Sequence, residues 1–405
     1  MKKIMFYCQY LLGMGHLVRS TEILRSLVKD FQVCFINGGQ IVQGFEIPPA
    51  VKALNLPALR SESGAQGVQE LKVVDSSHSL EEVQEIRKNQ LLTTFKQFEP
   101  DCLITEFFPF GRSLLLFELM PLLKQVQSTG RSTKVVCSLR DIVLAKSKPD
   151  RAQQEETICK LMNQYFDMLL VHSDPKLQRL EESFSRVKDL TCEVHYTGYV
   201  VQSPPDNLIA TDEDIASLNS REPMILVSVG GGRLGHELLE CMVEAAPILE
   251  RVLPHRLQIF TGPFMPEEKF LQLQKKAVGR TNITLRRYTP NLLAYMEKAD
   301  LSISLAGYNT IMNILRTRVR AMVFPSNKDR EQPTRAEKLE QLGIVEVIRP
   351  HELEPNHFAR KIITCLNQKT AAVSFDFIDL SGAYKTANLL KELLQRQVCA
   401  VYSSV

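Results

Sequence analysis

The stretch Leu301–Ala336, LSISLAGYNTIMNILRTRVRAMVFPSNKDREQPTRA, decides the fold of this chain. Apolar residues Leu301 to Leu305 stop at Ala306-Gly307, and Ile311, Met312, Leu315 and Val319 then recur at helical spacing. A second apolar run, Ala321 to Phe324, ends at Pro325 and opens into a very polar segment. The spacing predicts strand, turn, helix, strand and loop, the βαβ unit of a parallel sheet. In such a unit the turn puts free backbone N–H groups at a helix N-terminus beside the strand ends, where phosphate binds well. Ala306, Gly307, Tyr308, Asn309 and Thr310 are therefore candidates to hold a diphosphate. The loop after Pro325 leaves the next strand at the same sheet edge and carries Asp329, Glu331 and Gln332, groups suited to hydroxyls. Phosphate beside polyol points to a nucleotide-sugar.

Working outward, strands are predicted at Met224 to Val229, Leu257 to Phe260 and Ile283 to Leu285, with a helix from about Gly235. The stretch from Gln202 to Arg221, QSPPDNLIATDEDIASLNSR, reads as a linker, and its Asp212-Glu213-Asp214 cluster as a solvated helix start rather than a metal site. The half before it alternates in the same way. Strands are predicted at Lys3 to Cys8, Gln32 to Ile36, Leu71 to Val74, Asp101 to Thr105, Lys134 to Ser138, Met168 to His172 and Val194 to Tyr196. The organisation expected is an N-terminal Rossmann-like domain over 1–201, a second over 202–382, and a C-terminal helix within 383–405 that packs back across them. Parallel sheets bind ligands beyond the carboxyl ends of their strands. In the first half that edge comprises Gly13 to His16, Asn37 to Gly39, Glu106, Arg140-Asp141 and His172 to Asp174, with Asp174 followed by Pro175 read as a helix cap.

Composition bounds the possibilities. At 405 residues the chain suits two domains of about 200 residues each. A net charge of +3 gives no field that argues for nucleic acid. Nine cysteines, without C-x-x-C and mostly inside apolar runs, read as reduced core thiols, so a cytoplasmic location without a zinc cluster is expected. The apolar start MKKIMFYC is interrupted too soon for a signal peptide. Phe107 to Leu123 is apolar but short for a bilayer span, which leaves a membrane-surface contact open.

Two further loops carry chemistry. Gly230, Gly232 and Gly235 spell G-x-G-x-x-G after a strand, yet the next strand ends Phe260-Thr261-Gly262-Pro263 without the acidic residue that a nicotinamide dinucleotide site needs. What survives is a loop, Gly230, Gly231, Gly232 and Arg233, whose backbone can approach a phosphate. Gly13-Met14-Gly15-His16 opens the first helix in the same manner, with Gly13 and Gly15 permissive and His16 either a general base or a packing residue. A helix N-terminus disfavours imidazolium, so a neutral imidazole is expected there.

Taken together, G-M-G-H-L-V-R-S at the start, V-G-G-G-R after a mid-chain strand, and S-x-A-G-Y-N-T-x-x-x-I…V-F-P…K-D-R-E-Q-x-x-x-A resemble the MurG-like glycosyltransferases of the GT-B fold. A branch of predicted MurG-like glycosyltransferases carrying P-F-G-R, S-L-R-D-I, V-H-x-D-P and Y-T-G-Y-V is nearer still; these stand here at Pro109 to Arg112, Ser138 to Ile142, Val171 to Pro175 and Tyr196 to Val200. The resemblance implies an α/β chain of two Rossmann-like domains whose parallel sheets face a central cleft. It implies transfer of a sugar from a nucleotide-diphosphate sugar, UDP favoured, to a hydroxyl acceptor, by inversion, with no metal and no cofactor. It gives His16 the place of the first-loop histidine, Gly230 to Arg233 and Ala306 to Thr310 that of the donor-phosphate loops, and Asp329, Arg330, Glu331 and Gln332 that of a D-R-Q-Q stretch holding the donor sugar. Asn313 stands where the family has a ribose-binding Glu, Glu331 where it has Gln, and Gln202 near where it has an Arg. Glu106, Arg112, Arg140 and Asp141 are the acceptor-cleft candidates. A nucleotide-sugar hydrolase of the same fold and a non-catalytic nucleotide-sugar binding protein are the alternatives.

Overall fold

A computed structural model describes residues 1–405 apart from 12–13, 43–44, 64–68, 75–77, 131, 144–147, 205–211, 327–329, 369–375 and 403–405. Gly13 and Asp329, both expected at the site, lie outside the described residues.

The first half runs β1 (Lys3–Cys8), α1 (Gly15–Leu27), β2 (Gln32–Asn37), β3 (Lys52–Asn55), β4 (Leu59–Ser63), β5 (Gln69–Val73), α2 (Leu80–Phe98), β6 (Cys102–Glu106), α3 (Leu116–Ser128), β7 (Lys134–Arg140), α4 (Lys148–Tyr165), β8 (Met168–His172) and β9 (Glu193–Tyr196). The second half runs α5 (Asp212–Asn219), β10 (Met224–Ser228), α6 (His236–Glu250), β11 (Arg256–Phe260), α7 (Glu267–Ala277), β12 (Ile283–Arg286), α8 (Leu292–Lys298), β13 (Leu301–Leu305), α9 (Tyr308–Thr317), β14 (Ala321–Phe324), α10 (Glu331–Gln341), β15 (Glu346–Val347), α11 (Pro355–Asn367) and α12 (Gly382–Tyr402). Two parallel sheets result, ordered β3-β2-β1-β6-β7-β8-β9 and β12-β11-β10-β13-β14-β15. This is the doubly wound α/β architecture that the alternating pattern predicts.

Both faces of each sheet are covered because the central strands are apolar on both sides. In the first sheet Met5, Tyr7, Leu103 and Cys137 face α2, α3 and α4, while Ile4, Phe6, Ile104 and Val136 face α1 and α12. Each such fully buried large side chain contributes roughly 1.5–3 kcal/mol. Helix α12 thus returns from the end of the chain to the first sheet. Its Leu390 and Leu394 join the core around Leu24 and Leu27, and Lys391 reaches Asp30 at 2.7 Å. The outgoing and returning strands of chain lie side by side, with Tyr199 N–H donating to Asp379 O (2.8 Å) and Gly382 N–H to Tyr199 O (2.9 Å).

The structure corrects one strand. The run expected at Leu71 to Val74 is β5, and it pairs antiparallel with β4 as a separate hairpin rather than joining the parallel sheet. Its charged residues explain this: Glu70 and Lys72 on β5, like Arg60 and Glu62 on β4, cannot enter a sheet covered on both faces. Strands β3, β4 and β15 escaped the sequence reading: the first is a largely exposed sheet edge, the second carries Arg60 and Glu62, and the third has two residues. The apolar segment from Phe107 forms a turn and α3, whose Leu119, Leu122 and Leu123 are buried in the core. Among the described residues no helix is long and apolar enough to cross a membrane.

Candidate active site

The carboxyl ends of the two sheets face each other. Tyr308, the first residue of α9, donates its hydroxyl to His172 O at the end of β8 (3.1 Å) and accepts from Val200 N–H (3.1 Å). Asn309 Nδ2 donates to Gly15 O at the start of α1 (2.8 Å). Two helix N-termini, neither with a side-chain cap, therefore point into one region, and both dipoles favour an anion between them.

His16 sits at the mouth of this region. Its Nδ1 lies 2.6 Å from Glu106 Oε1, the side chain of His16 is 14% exposed, and the carboxylate is fully buried. An ionised carboxylate only accepts, so Nδ1 carries the hydrogen and Nε2 keeps its lone pair. Nε2 makes no hydrogen bond among the described residues. Arg19, one turn further along α1, pairs with the same Glu106 oxygen, and Ser138 Oγ donates to the other at 3.1 Å. Behind Ser138, His172 Nε2 lies 2.8 Å from its hydroxyl and His172 Nδ1 lies 2.9 Å from Thr197 Oγ1. Burial opposes the Glu106 charge, but Arg19 and His16 outweigh it and bring its pKa down to about 2. Burial, then Arg112, hold His16 well below the usual histidine range against the pull of Glu106, and burial lowers His172 to about 3. The result is an ionised carboxylate orienting a neutral imidazole.

The two loops expected at the donor phosphate differ in their backbones. Gly232 has φ +86°, and a Cβ there would stand 2.4 Å from Thr261 O, so only glycine closes the loop against the following strand end. Gly307 has φ −66°, and among the described residues nothing lies within 4 Å of where a Cβ would be. The space before the N-terminus of α9 is open. Arg233 bridges toward the first half, donating to Gln40 Oε1 at 3.2 Å and lying over the Phe264 ring at 5.0 Å.

Four expected contacts are otherwise engaged. Glu106 and Asp141, proposed from sequence to face an acceptor, are 0% and 1% exposed, so neither presents its carboxylate to a ligand surface. Asp141 is taken up bidentately by Arg335 of α10, Nε to Oδ2 at 2.8 Å and Nη2 to Oδ1 at 2.7 Å. Arg335 also reaches Glu331 Oε1 (2.8 Å) and Ala306 O (3.1 Å), while Arg140 Nη2 takes Glu331 Oε2 (2.8 Å). Glu331 is thus clamped between two guanidinium groups, one from each half. Asn313, expected at the ribose, is 1% exposed and donates to Gln202 Oε1 (2.6 Å). Those two positions, noted separately as departures from the family pattern, are one hydrogen-bonded pair. Among the described residues Gln332 keeps its amide nitrogen to offer, since only its Oε1 is used, by Ser326 N–H at 3.1 Å. Sequence reasoning missed Arg19, Ser138 and Arg335. The last had a signal in its i,i+4 spacing from Glu331.

Comparison with known proteins agrees with this architecture. Residues 224–389 match the glycosyltransferase family 28 C-terminal domain. The two facing parallel sheets give the whole chain the GT-B fold. An uncharacterized glycosyltransferase of Methanopyrus kandleri is 24% identical over 208 residues, which are 50% of this chain and 56% of that protein, so the match spans little more than half of the relative. The Acinetobacter baumannii MurG structure superposes with a TM-score of 0.55 at 14% identity, covering 97% of this chain and 100% of that one. A Phytolacca americana glycosyltransferase, UGT2, solved with UDP-2-fluoro-glucose and pterostilbene, superposes with a TM-score of 0.58 at 14% identity, covering 98% and 94%.

Proposed function

We propose that this protein transfers a sugar from a nucleoside-diphosphate sugar, a UDP-sugar by preference, to a hydroxyl acceptor, with inversion and without a metal. The observation that carries this reading is the His16–Glu106 pair at the mouth of the region where two uncapped helix N-termini converge. The donor diphosphate lies before Gly307, against the N–H groups of Tyr308, Asn309 and Thr310, under the Gly230 to Arg233 loop. The acceptor hydroxyl gives its proton to His16 Nε2 as its oxygen bonds the anomeric carbon. The bond from that carbon to the diphosphate oxygen breaks on the opposite side, and the electron pair stays on the leaving phosphate, which the helix N-terminus and loop N–H groups stabilise. Glu106 stabilises the imidazolium that forms. The UDP-sugar analogue in the Phytolacca americana structure supports the donor class by analogy of fold.

Incubating the protein with its preferred nucleotide-sugar, with and without a panel of hydroxyl acceptors, tests the reading. Acceptor-dependent release of nucleotide that falls about 100- to 10,000-fold in His16→Ala, with donor affinity retained, is the expected result. Rapid release without acceptor would assign a hydrolase. Binding with no turnover under any acceptor would assign a binding protein.

A further inference from the structure

Four guanidinium groups and three carboxylates crowd the meeting edges of the two halves. Glu106 pairs with Arg19, Asp141 with Arg335, and Glu331 with Arg335 and Arg140. Arg112 is the one left without a carboxylate. Its side chain makes no hydrogen bond or ion pair among the described residues, and its Nε and Nη2 are both buried and unpartnered. Its one named contact is stacking over the Phe107 ring at 5.6 Å. Arg140 lies over the same ring at 4.9 Å, also with a buried, unpartnered Nε, and His16 meets the ring edge-on at 5.6 Å. Phe107 and Arg112 both hold left-handed backbones, φ 67° and 70°. Burial pushes the Arg112 pKa down to about 10 against the pull of Glu106, and Arg140 adds to the push. Leaving charged N–H groups buried and unpaired is costly in the free protein, and that cost is recovered when an anion arrives.

We infer that Arg112, with Arg140 beside it, seats a carboxylate or phosphate carried by the molecule that lies on Phe107 in front of His16, so that the acceptor is an acidic hydroxyl compound. This rests on the glycosyltransferase reading for the word acceptor. The expected donor-phosphate loops belong to the second sheet, whereas Phe107 and Arg112 follow β6 of the first sheet and Arg140 ends its β7.

The test uses the whole protein saturated with UDP, which fills the donor-phosphate place, and titrates it with inorganic phosphate and with benzoate at fixed ionic strength. Arg112→Gln and Arg112→Lys accept the same left-handed backbone as the parent residue. Anion affinity is expected to fall about tenfold or more in Arg112→Gln and to return largely in Arg112→Lys. Ligand-free Arg112→Gln is expected to melt no lower than the parent, because it loses a charge that has no partner; a purely structural arginine would give a lower melting temperature. Equal anion affinity in parent and Arg112→Gln overturns the inference, as does a drop of several degrees in the melting temperature of that variant. Phosphate binding abolished by UDP also overturns it, since the anion would then be the donor's. UDP-glucuronate weakened about tenfold more than UDP-glucose by Arg112→Gln moves the anion to the donor sugar and overturns the acceptor assignment. Failure of UDP itself to bind, seen in the titration without anions, counts against the donor reading, and phosphate titrated into the nucleotide-free protein then decides on Arg112.

Discussion

Replacing Glu106 by Gln keeps the volume and shape of a side chain that is fully buried and removes only its charge. Two consequences separate. Arg19, 2% exposed, loses the carboxylate it pairs with, and breaking a buried ion pair from one side costs about 3–5 kcal/mol. For a unit of about 200 residues, each kcal/mol is about 2–4 °C, so melting should fall by roughly 6–20 °C. The rate changes for a different reason. An imidazolium at His16 and a carboxylate 2.6 Å away attract by about 6 kcal/mol at an effective dielectric of about 20. Losing half of that in the transition state alone slows turnover roughly 100-fold. Nucleotide release from saturating donor, measured well below the melting temperature of the variant, gives the rate, and calorimetry gives donor affinity. Turnover within about threefold of the parent in a folded Glu106→Gln protein would refute the pairing as a device that acts on His16.

Gln332→Ala is expected to change the ranking of epimeric and deoxy donor sugars on one nucleotide by about 2- to 12-fold, the value of one hydrogen bond, while nucleoside-diphosphate affinity stays nearly constant. Competition assays read this, and an unchanged ranking would mean that another loop reads the sugar. Glu331→Gln should alter the same ranking, acting through Arg140 and Arg335, which hold its two oxygens. Stability should fall in acid. His16, His172 and Glu106 all have folded pKa values below their ordinary ones, so the unfolded chain binds their protons first. Their contribution is complete above about pH 6.5 and is lost as pH falls, for His172 down to about 3 and for Glu106 from about 4.5 to about 2, at up to about 1.4 kcal/mol per pH unit for each group. Urea unfolding at pH 7.5, 6 and 5 checks it, and His172→Gln should flatten the slope by about one proton.

The elements of this fold were legible wherever a strand is buried on both faces. Leu301 to Leu305 and Met168 to His172 are continuous apolar runs, and periodicity alone places them. Exposed elements were not. The β4–β5 hairpin alternates charges, and its pairing depends on a partner that the sequence does not mark. For the site, the sheet-edge rule brought His16, Glu106, Arg140, Asp141 and Gly307 to one region without any contact known. It could not say which of these face a ligand and which face each other. Whether Glu106 points at a substrate or at Arg19 depends on side-chain packing between α1 and β6, and whether Asp141 is free depends on Arg335, 194 residues later. Charged groups at a cleft edge read alike in sequence, and burial separates them.

The central claim is that a nucleoside diphosphate sits against the N-terminus of α9. The Cβ of Val at Gly307 would have no described atom within 4 Å, the extended backbone there accepts it, and its methyl groups would enter the open space before the helix. Calorimetric titration of the parent with UDP, GDP, dTDP and CDP, repeated with Gly307→Val, tests it most directly. The expected result is tight binding of one nucleotide, UDP first, with binding abolished in a variant whose melting temperature in the absence of ligand is within a few degrees of the parent's. The same affinity in parent and variant, or binding of none of the four, would contradict it.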